Sequence, residues 1–269
     1  MLDRAACEGL IAKVLTRTEA DDATVNLSST RREHLRFANN QVTTSGIDLD
    51  QQIEVTVSFG SRSGTASGNQ LSDEGVMAVV RAAEELARVA PEDPEHVPSV
   101  GRQTYALVSA WKESDRPDAT VTGVGQVIGQ AANAGLVASG FAESRRTTEA
   151  VGTTNGAMAF HRHTHAQVST TIRTLDGGGS GWASEAAAHP GALPWVQIGE
   201  RALRKAEQSS QPRPLEPGRY VTIFEPSAVA NLANLLRRAL DQRTTDEGLS
   251  LIHISEPTRR RGSRMPSSA

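Results

Sequence analysis

The stretch Gln51-Gln-Ile-Glu-Val-Thr-Val-Ser-Phe59 decides the fold class. Ile53, Val55, Val57 and Phe59 alternate with polar residues, the period-two pattern of a strand with one buried face. Gly60 marks a turn, and the small residues of Ser61–Ser67 predict a strand pairing back on it. Ser72 is a helix N-cap, with Asp73 and Glu74 favourable in the first turn. The helix it opens turns Val76, Val79, Val80, Ala83 and Leu86 or Ala87 to the core and stops before Pro91. Upstream, Ala23–Ser28 and Glu33–Ala38 alternate as two further strands. Residues 3–17 carry Cys7, Leu10, Ile11 and Val14 on one helical stripe. The predicted order is α-β-β-β-β-α, an α+β unit with an antiparallel sheet.

Pro91–Val100 holds three prolines and three acids and reads as a linker. Beyond it the spacing of Val121, Val124, Val127, Ile128 and Ala131 predicts a helix over 119–135. Strands are expected at Leu136–Phe141 and Thr147–Val151, and one or two within Gly156–Thr174. Asp176–Gly181 reads as a Gly-rich turn. A helix follows over Leu193–Glu207. Pro212, Pro214 and Pro217 make a connector. Tyr220–Phe224 is an expected strand and Pro226–Leu240 an expected helix. The fold class is α+β: two α/β units with largely antiparallel sheets and amphipathic helices, the second unit incomplete.

Composition excludes several functions. The chain has 269 residues, 28 Lys and Arg, 31 Asp and Glu, and a net charge of −3. No dense basic face points to nucleic acid, and no apolar run is long enough to span a membrane. The single cysteine, Cys7, rules out a disulfide framework and a cysteine-built zinc site. The acidic N-terminus lacks the basic-then-apolar form of a signal peptide. A cytoplasmic protein is the expectation.

Motifs for chemistry are sparse. His161, His163 and His165 alternate on an expected strand, about 7 Å apart on one face. They read either as a polar or substrate-contacting face or as three imidazoles for a zinc ion. Gly123-Val-Gly125-Gln-Val-Ile-Gly129 misses the dinucleotide spacing and lies inside a helical pattern. No Gly-x-Ser-x-Gly and no His-Glu dipeptide occur. The pairs Asp21–Asp22 and Glu84–Glu85 read as a turn and a solvated helix face.

Several segments in order resemble the TldD/PmbA (modulator of DNA gyrase) metalloprotease family. They are Arg36-Phe-Ala-Asn-Asn-Gln-Val-Thr-Thr-Ser-Gly46, the strand Ile53–Phe59, Gly64-Thr-Ala-Ser-Gly-Asn-Gln-Leu-Ser72, Gly140-Phe141, Thr154-Asn-Gly156, Leu215–Ala230 and Asp246-Glu-Gly248. The resemblance implies an N-terminal α+β domain of TldD/PmbA type over 1–92. A linker over 93–116 and a truncated central α+β domain over 117–248 would follow. In the family's TldD kind, a helix after the Leu215–Phe224 region carries His-Glu-x-x-x-His and holds zinc. Here Ala233, Asn234 and Arg238 stand in those places, and none suits a zinc ion. The chain therefore resembles the TldE/PmbA kind, with no catalytic and no cofactor-binding residue carried over. It implies a heterodimer with a TldD-like zinc-bearing subunit, acting on flexible or unfolded peptides. A non-catalytic peptide-binding or interaction protein is the alternative.

Leu249-Ser-Leu-Ile-His-Ile-Ser-Glu-Pro-Thr-Arg259 resembles a translated sequencing adapter. Residues 249–269 are therefore expected to be a non-native tail. That tail sets Arg259, Arg260, Arg261 and Arg264 against Glu256, so the remainder is more acidic than the whole.

Overall fold

A computed structural model describes residues 1–106, 108–112, 116, 118–240 and 245. Asp246–Gly248 and the adapter-like tail lie outside the described residues. Met1–Arg213 forms one compact unit, and the residues from Pro214 form a second.

In the first unit the chain starts with helix α1 (Arg4–Arg17), where Asp3 caps the start by accepting from Ala6 N at 2.8 Å. Strands β1 (Asp22–Ala38), β2 (Gln41–Phe59) and β3 (Arg62–Gly68) follow, then helix α2 (Asp73–Val89), capped by Ser72. After the linker come helix α3 (Ala119–Asn133), strands β4 (Val137–Thr153), β5 (Met158–Arg173) and β6 (Ser180–Ala187), and helix α4 (Trp195–Gln208). All six strands form one sheet in the order β3-β2-β1-β4-β5-β6. Every neighbouring pair is antiparallel. The fold is α+β.

The chain folds twice through α-β-β-β-α, and the two sets meet where β1 pairs with β4, Thr24–Phe37 against Gly140–Thr153. The stretches expected as two units thus share one sheet. The strands expected separately at Ala23–Ser28 and Glu33–Ala38 are one, β1. The pairs Leu136–Phe141 and Thr147–Val151 likewise merge into β4. The polar gaps that hid this continuity, such as Ser29-Thr-Arg-Arg32, lie on the extended sheet between two core clusters. Strand β6 starts within the expected Gly-rich turn, at Ser180, and runs on past it, where the sequence analysis expects no strand.

Alternation along β1 fixes the layers. Ala23, Val25, Leu27, Leu35 and Phe37 are all buried and share one face. The first three pack with α1 and α2, and the last two with α3 and α4, so all four helices cover the same face of the sheet. Cys7 lies in the α1 core at 1% exposure, where burial first, then Asp3 and Glu8, raise its thiol pKa. Glu84 is buried rather than solvated, because its carboxylate accepts from Thr18 Oγ1 and Glu19 N, both at 2.8 Å. The β1–β2 turn rests on Asn39 and Asn40 at φ 51° and 60°, a left-handed pair that Asn tolerates.

In the second unit, helix α5 (Pro226–Ala239) begins with Pro226 in its first turn. The strand expected at Tyr220–Phe224 does not form. Val221 and Ile223 are fully exposed there, with no partner strand among the described residues.

Candidate functional site

The face of the sheet opposite the four helices is the candidate site. Even-numbered residues of β1 and odd-numbered residues of β4 and β5 point to it. Two depressions lie on it. The first, about 420 Å³, crosses the middle of the sheet, lined by Asn26, Gln52, Glu54, Glu149 and His161 among others. Asn26 Nδ2 donates to Glu54 Oε1 at 3.3 Å across the β1–β2 pair. The second, about 440 Å³, has a floor of Ser169 and Ser184 between Phe141, Gln167 and Trp182. Trp182 is 43% exposed. Of these lining residues, the sequence points to His161 as a site candidate and to Phe141 only within a family-like segment. The signal for the others was the strand register, which a single sequence does not reveal.

Between the depressions lies a band of paired charges. Arg32 Nη2 donates to Asp48 Oδ2 at 2.7 Å, and this bond above all holds the Asp48 carboxyl below its ordinary range. His34 Nδ1 lies 3.3 Å from the same oxygen, at ion-pair distance without hydrogen-bond geometry. Its ring stacks on Phe141 at 6.1 Å between centroids. Glu143, 2% exposed, accepts from Gln167 at 2.6 Å and pairs with Arg145 at 2.8 Å.

At one end of the face, Asp22 ties three segments together. Ser99 N and Oγ each donate to its carboxylate at 2.5 Å, and Thr154 Oγ1 donates at 2.6 Å. Burial alone would raise this carboxyl, but the donors from Ser99 and Thr154 outweigh it and hold the pKa below the ordinary value.

The three histidines do share the open face. His161 and His163 stack at 5.6 Å between centroids, and His163 Nδ1 is 3.8 Å from Glu149. His165 sits opposite Arg145. Among the described residues no three His, Cys, Asp or Glu side chains gather closely enough to hold a metal ion. Ala233 and Asn234 lie on α5, a formed helix with no zinc-binding set: an alanine has no ligand atom and an amide is a weak neutral donor. Within the glycine-rich Gly123–Gly129 segment, Gly123 serves packing, since a Cβ there would overlap the Trp195 ring, whereas a Cβ at Gly125 or Gly129 would meet no close neighbour. No described helix is long and apolar enough to cross a membrane.

Residues 23–87, the stretch from β1 to α2, match the family model for PmbA/TldA metallopeptidase domain 1. No curated protein matches the sequence. Three solved structures share the fold. The chain resembles TldE from Thermococcus kodakarensis with TM-score 0.66 and 17% identity, over 74% of this chain and 47% of that one. It resembles a candidate modulator of a DNA gyrase from Thermotoga maritima with TM-score 0.65 and 15% identity, over 74% and 47%. A further candidate gyrase modulator, from Bacteroides thetaiotaomicron, gives TM-score 0.71 and 14% identity, over 94% and 61%. The chain thus spans about half the length of the first two and about three fifths of the third. Residues 23–87 are thus similar to the first domain of the TldD/PmbA metallopeptidase family, the one the sequence resembles, and the three structures share the chain's fold.

Proposed function

We propose that this chain is the zinc-free subunit of a TldD/TldE-like metallopeptidase assembly that cleaves flexible or unfolded peptides. The zinc sits on a TldD-like partner in this reading, and the pair works in the cytoplasm. The supporting observation is the combination of a TldD/PmbA first domain with a formed α5 that carries Ala233 and Asn234 where a zinc-binding helix needs His and Glu. The open sheet face, with its two depressions, would then line a chamber and hold peptide. Four helices close the other face, so substrate contact falls to the free one.

The test is co-expression of the full chain with a His-Glu-x-x-x-His paralogue from the same genome. Zinc content and cleavage of an unfolded casein are then measured on each chain and on the mixture. Zinc should follow the partner alone, and cleavage should require both. Equal cleavage by the partner without this chain would overturn the reading. Peptide binding with no cleavage by the pair would favour a non-catalytic peptide-binding protein.

A further inference from the structure

Sheets end in edges, and this one has an edge where none is expected. Strand β3 pairs with β2 only over Ile53–Phe59, so among the described residues the outer side of residues 41–52 has no strand beside it. None of the hydrogen bonds described in turns and loops engages a main-chain group of this edge. Alternate residues there present N–H and C=O groups outward.

The second half of the molecule shows what such an edge accepts. The pair Val57–Gly64 corresponds to Ile172–Gly181, since both glycines lie under matched helix backbones. Counting back along the long strands sets Leu49 at the place of Thr164, Asp48 at His163 and Asp50 at His165. On β5 the edge beyond β6 is taken by the linker. Thr164 N donates to Ala110 O at 3.1 Å, and Thr164 Oγ1 bonds both N and O of Lys112. The Trp111 ring lies 4.9 Å from the Arg162 guanidinium. The protein thus covers one edge with its own Ala110-Trp111-Lys112, an apolar and basic segment, while among the described residues nothing pairs with the matching edge.

The bare edge has its own chemistry. On the helix side of the sheet, Val42, Ile47 and Leu49 are 52%, 62% and 56% exposed, beyond the reach of the helices. On the open side stand Asp50 and Asp48, the latter already paired with Arg32 of β1, and β2 itself contains no Lys, Arg or His. A second copy of this chain would set acidic strand against acidic strand, which charge disfavours.

We propose that β2 over residues 41–52 docks an extended peptide strand of alternating basic and apolar residues. Its main chain pairs with the free edge, its basic side chains reach Asp50 beside the Arg32–Asp48 pair, and its apolar side chains cover Ile47 and Leu49. The inference deepens the peptide-handling reading and rests on it for the choice of a peptide. The rival account is that the two acids only keep an edge strand solvated and unpaired.

The probe is a fluorescein-labelled (Lys-Val)5 decapeptide against (Glu-Val)5, titrated with the full chain and read by anisotropy at low salt. The basic peptide should bind about ten-fold tighter or more, and Asp50→Lys should erase or invert that preference. Two versions N-methylated on the Lys amides or on the Val amides test strand pairing. One should lose about ten-fold and the other keep its affinity, because only one set of amides faces β2. Hydrogen exchange should slow at 42–50 in the complex. Equal binding of the two decapeptides would overturn the proposal. So would equal binding of the methylated pair, protection confined to β3 or β6, or self-association through β2 without peptide. The measurement uses this chain alone and reads no cleavage. An inactive pair with the zinc-bearing subunit would therefore sink the peptidase reading and leave this one standing, and absent edge binding would do the reverse.

Discussion

The half built from α1, β1, β2, β3 and α2 and the half built from α3, β4, β5, β6 and α4 solve the same packing problem with different side chains. Helix α2 buries Val76, Val79, Val80, Ala83 and Ala87, and α4 buries Trp195, Ile198, Gly199, Ala202 and Ala206 at the same spacing. Beneath them, a Cβ on Gly64 would collide with backbone at Ala83 and Ala87, and one on Gly181 with backbone at Ala202 and Ala206. The ties between helices differ. Trp195 lies on Gly123 to join α4 to α3, whereas Lys13 pairs with Asp73 and Glu84 holds the chain after α1. The open face diverges further. Asn26 and Glu54 stand where the other half has Phe141 and Ser169, and Asp48 and Asp50 where it has His163 and His165. Close backbone packing restricts the helix side to small and apolar residues at fixed places, while the solvated side is free to specialise.

The joint between the halves gives the largest test. Fourteen successive β1 residues, Thr24–Phe37, pair with β4, so the halves are one sheet rather than two folding units. A protease cutting within residues 91–117 should leave two fragments that co-elute on size exclusion until denaturant is added. Residues 1–92 expressed alone, with the inner side of β1 bare, should show no cooperative thermal transition. Fragments that separate in buffer would break the comparison at its root.

Next come the matched positions where the halves use unlike residues. Trp195 is 7% exposed and donates from Nε1 to Pro190 O at 3.0 Å. Trp195→Ala should cost about 3–5 kcal/mol, and Val76→Ala about 1–2 kcal/mol, by urea denaturation. Equal costs would mean that α4 does not depend on its tryptophan. At the like positions, Gly64→Ala and Gly181→Ala should each cost about 2–3 kcal/mol and agree within about 1 kcal/mol, because helix backbone cannot yield as a side-chain tip can. A tolerated substitution in one half alone would show that the equivalence stops at the backbone.

This duplication was invisible in the sequence, because the halves share spacings and not residues. Ile53, Val55 and Val57 announced their strand because they face helices, and the apolar stripes of α2 and α4 did the same. The long reach of β1 and β4 was hidden, since Ser29–Arg32 and Glu143–Arg146 lie where polar side chains do not interrupt a strand. Strand β6 hid behind a run of small residues, Gly181 and Ala183, that exist to let α4 approach. Of the candidate site, the alternation of His161, His163 and His165 was legible. The partners that make a surface of it come from β1, β2 and β6 through registers that only the fold supplies.

The smallest expected effect concerns the end of the sheet where Asp22 joins β1, the linker at Ser99 and the β4–β5 turn at Thr154. The other half has no such joint: the position matching Asp22 is Val137. The Asp22 carboxyl has its pKa lowered in the folded protein, so folding favours the ionised form. Its stabilisation is therefore complete above the ordinary carboxylate range and is lost as pH falls through the lowered value. Asp22→Asn keeps the shape and removes the charge. At pH 7 it should cost about 1–2 kcal/mol, the modest figure suiting a partly solvated group. The gap from wild type should begin to narrow as pH drops below the ordinary carboxylate value of about 4, and close only below the lowered folded value, where both chains carry a neutral side chain. Because Ser99 fixes the linker, the variant should also be cut faster within residues 93–106. A gap that persists unchanged into acid would mean that Asp22 acts by shape alone, and the two ends of the sheet would then be more alike than their charges suggest.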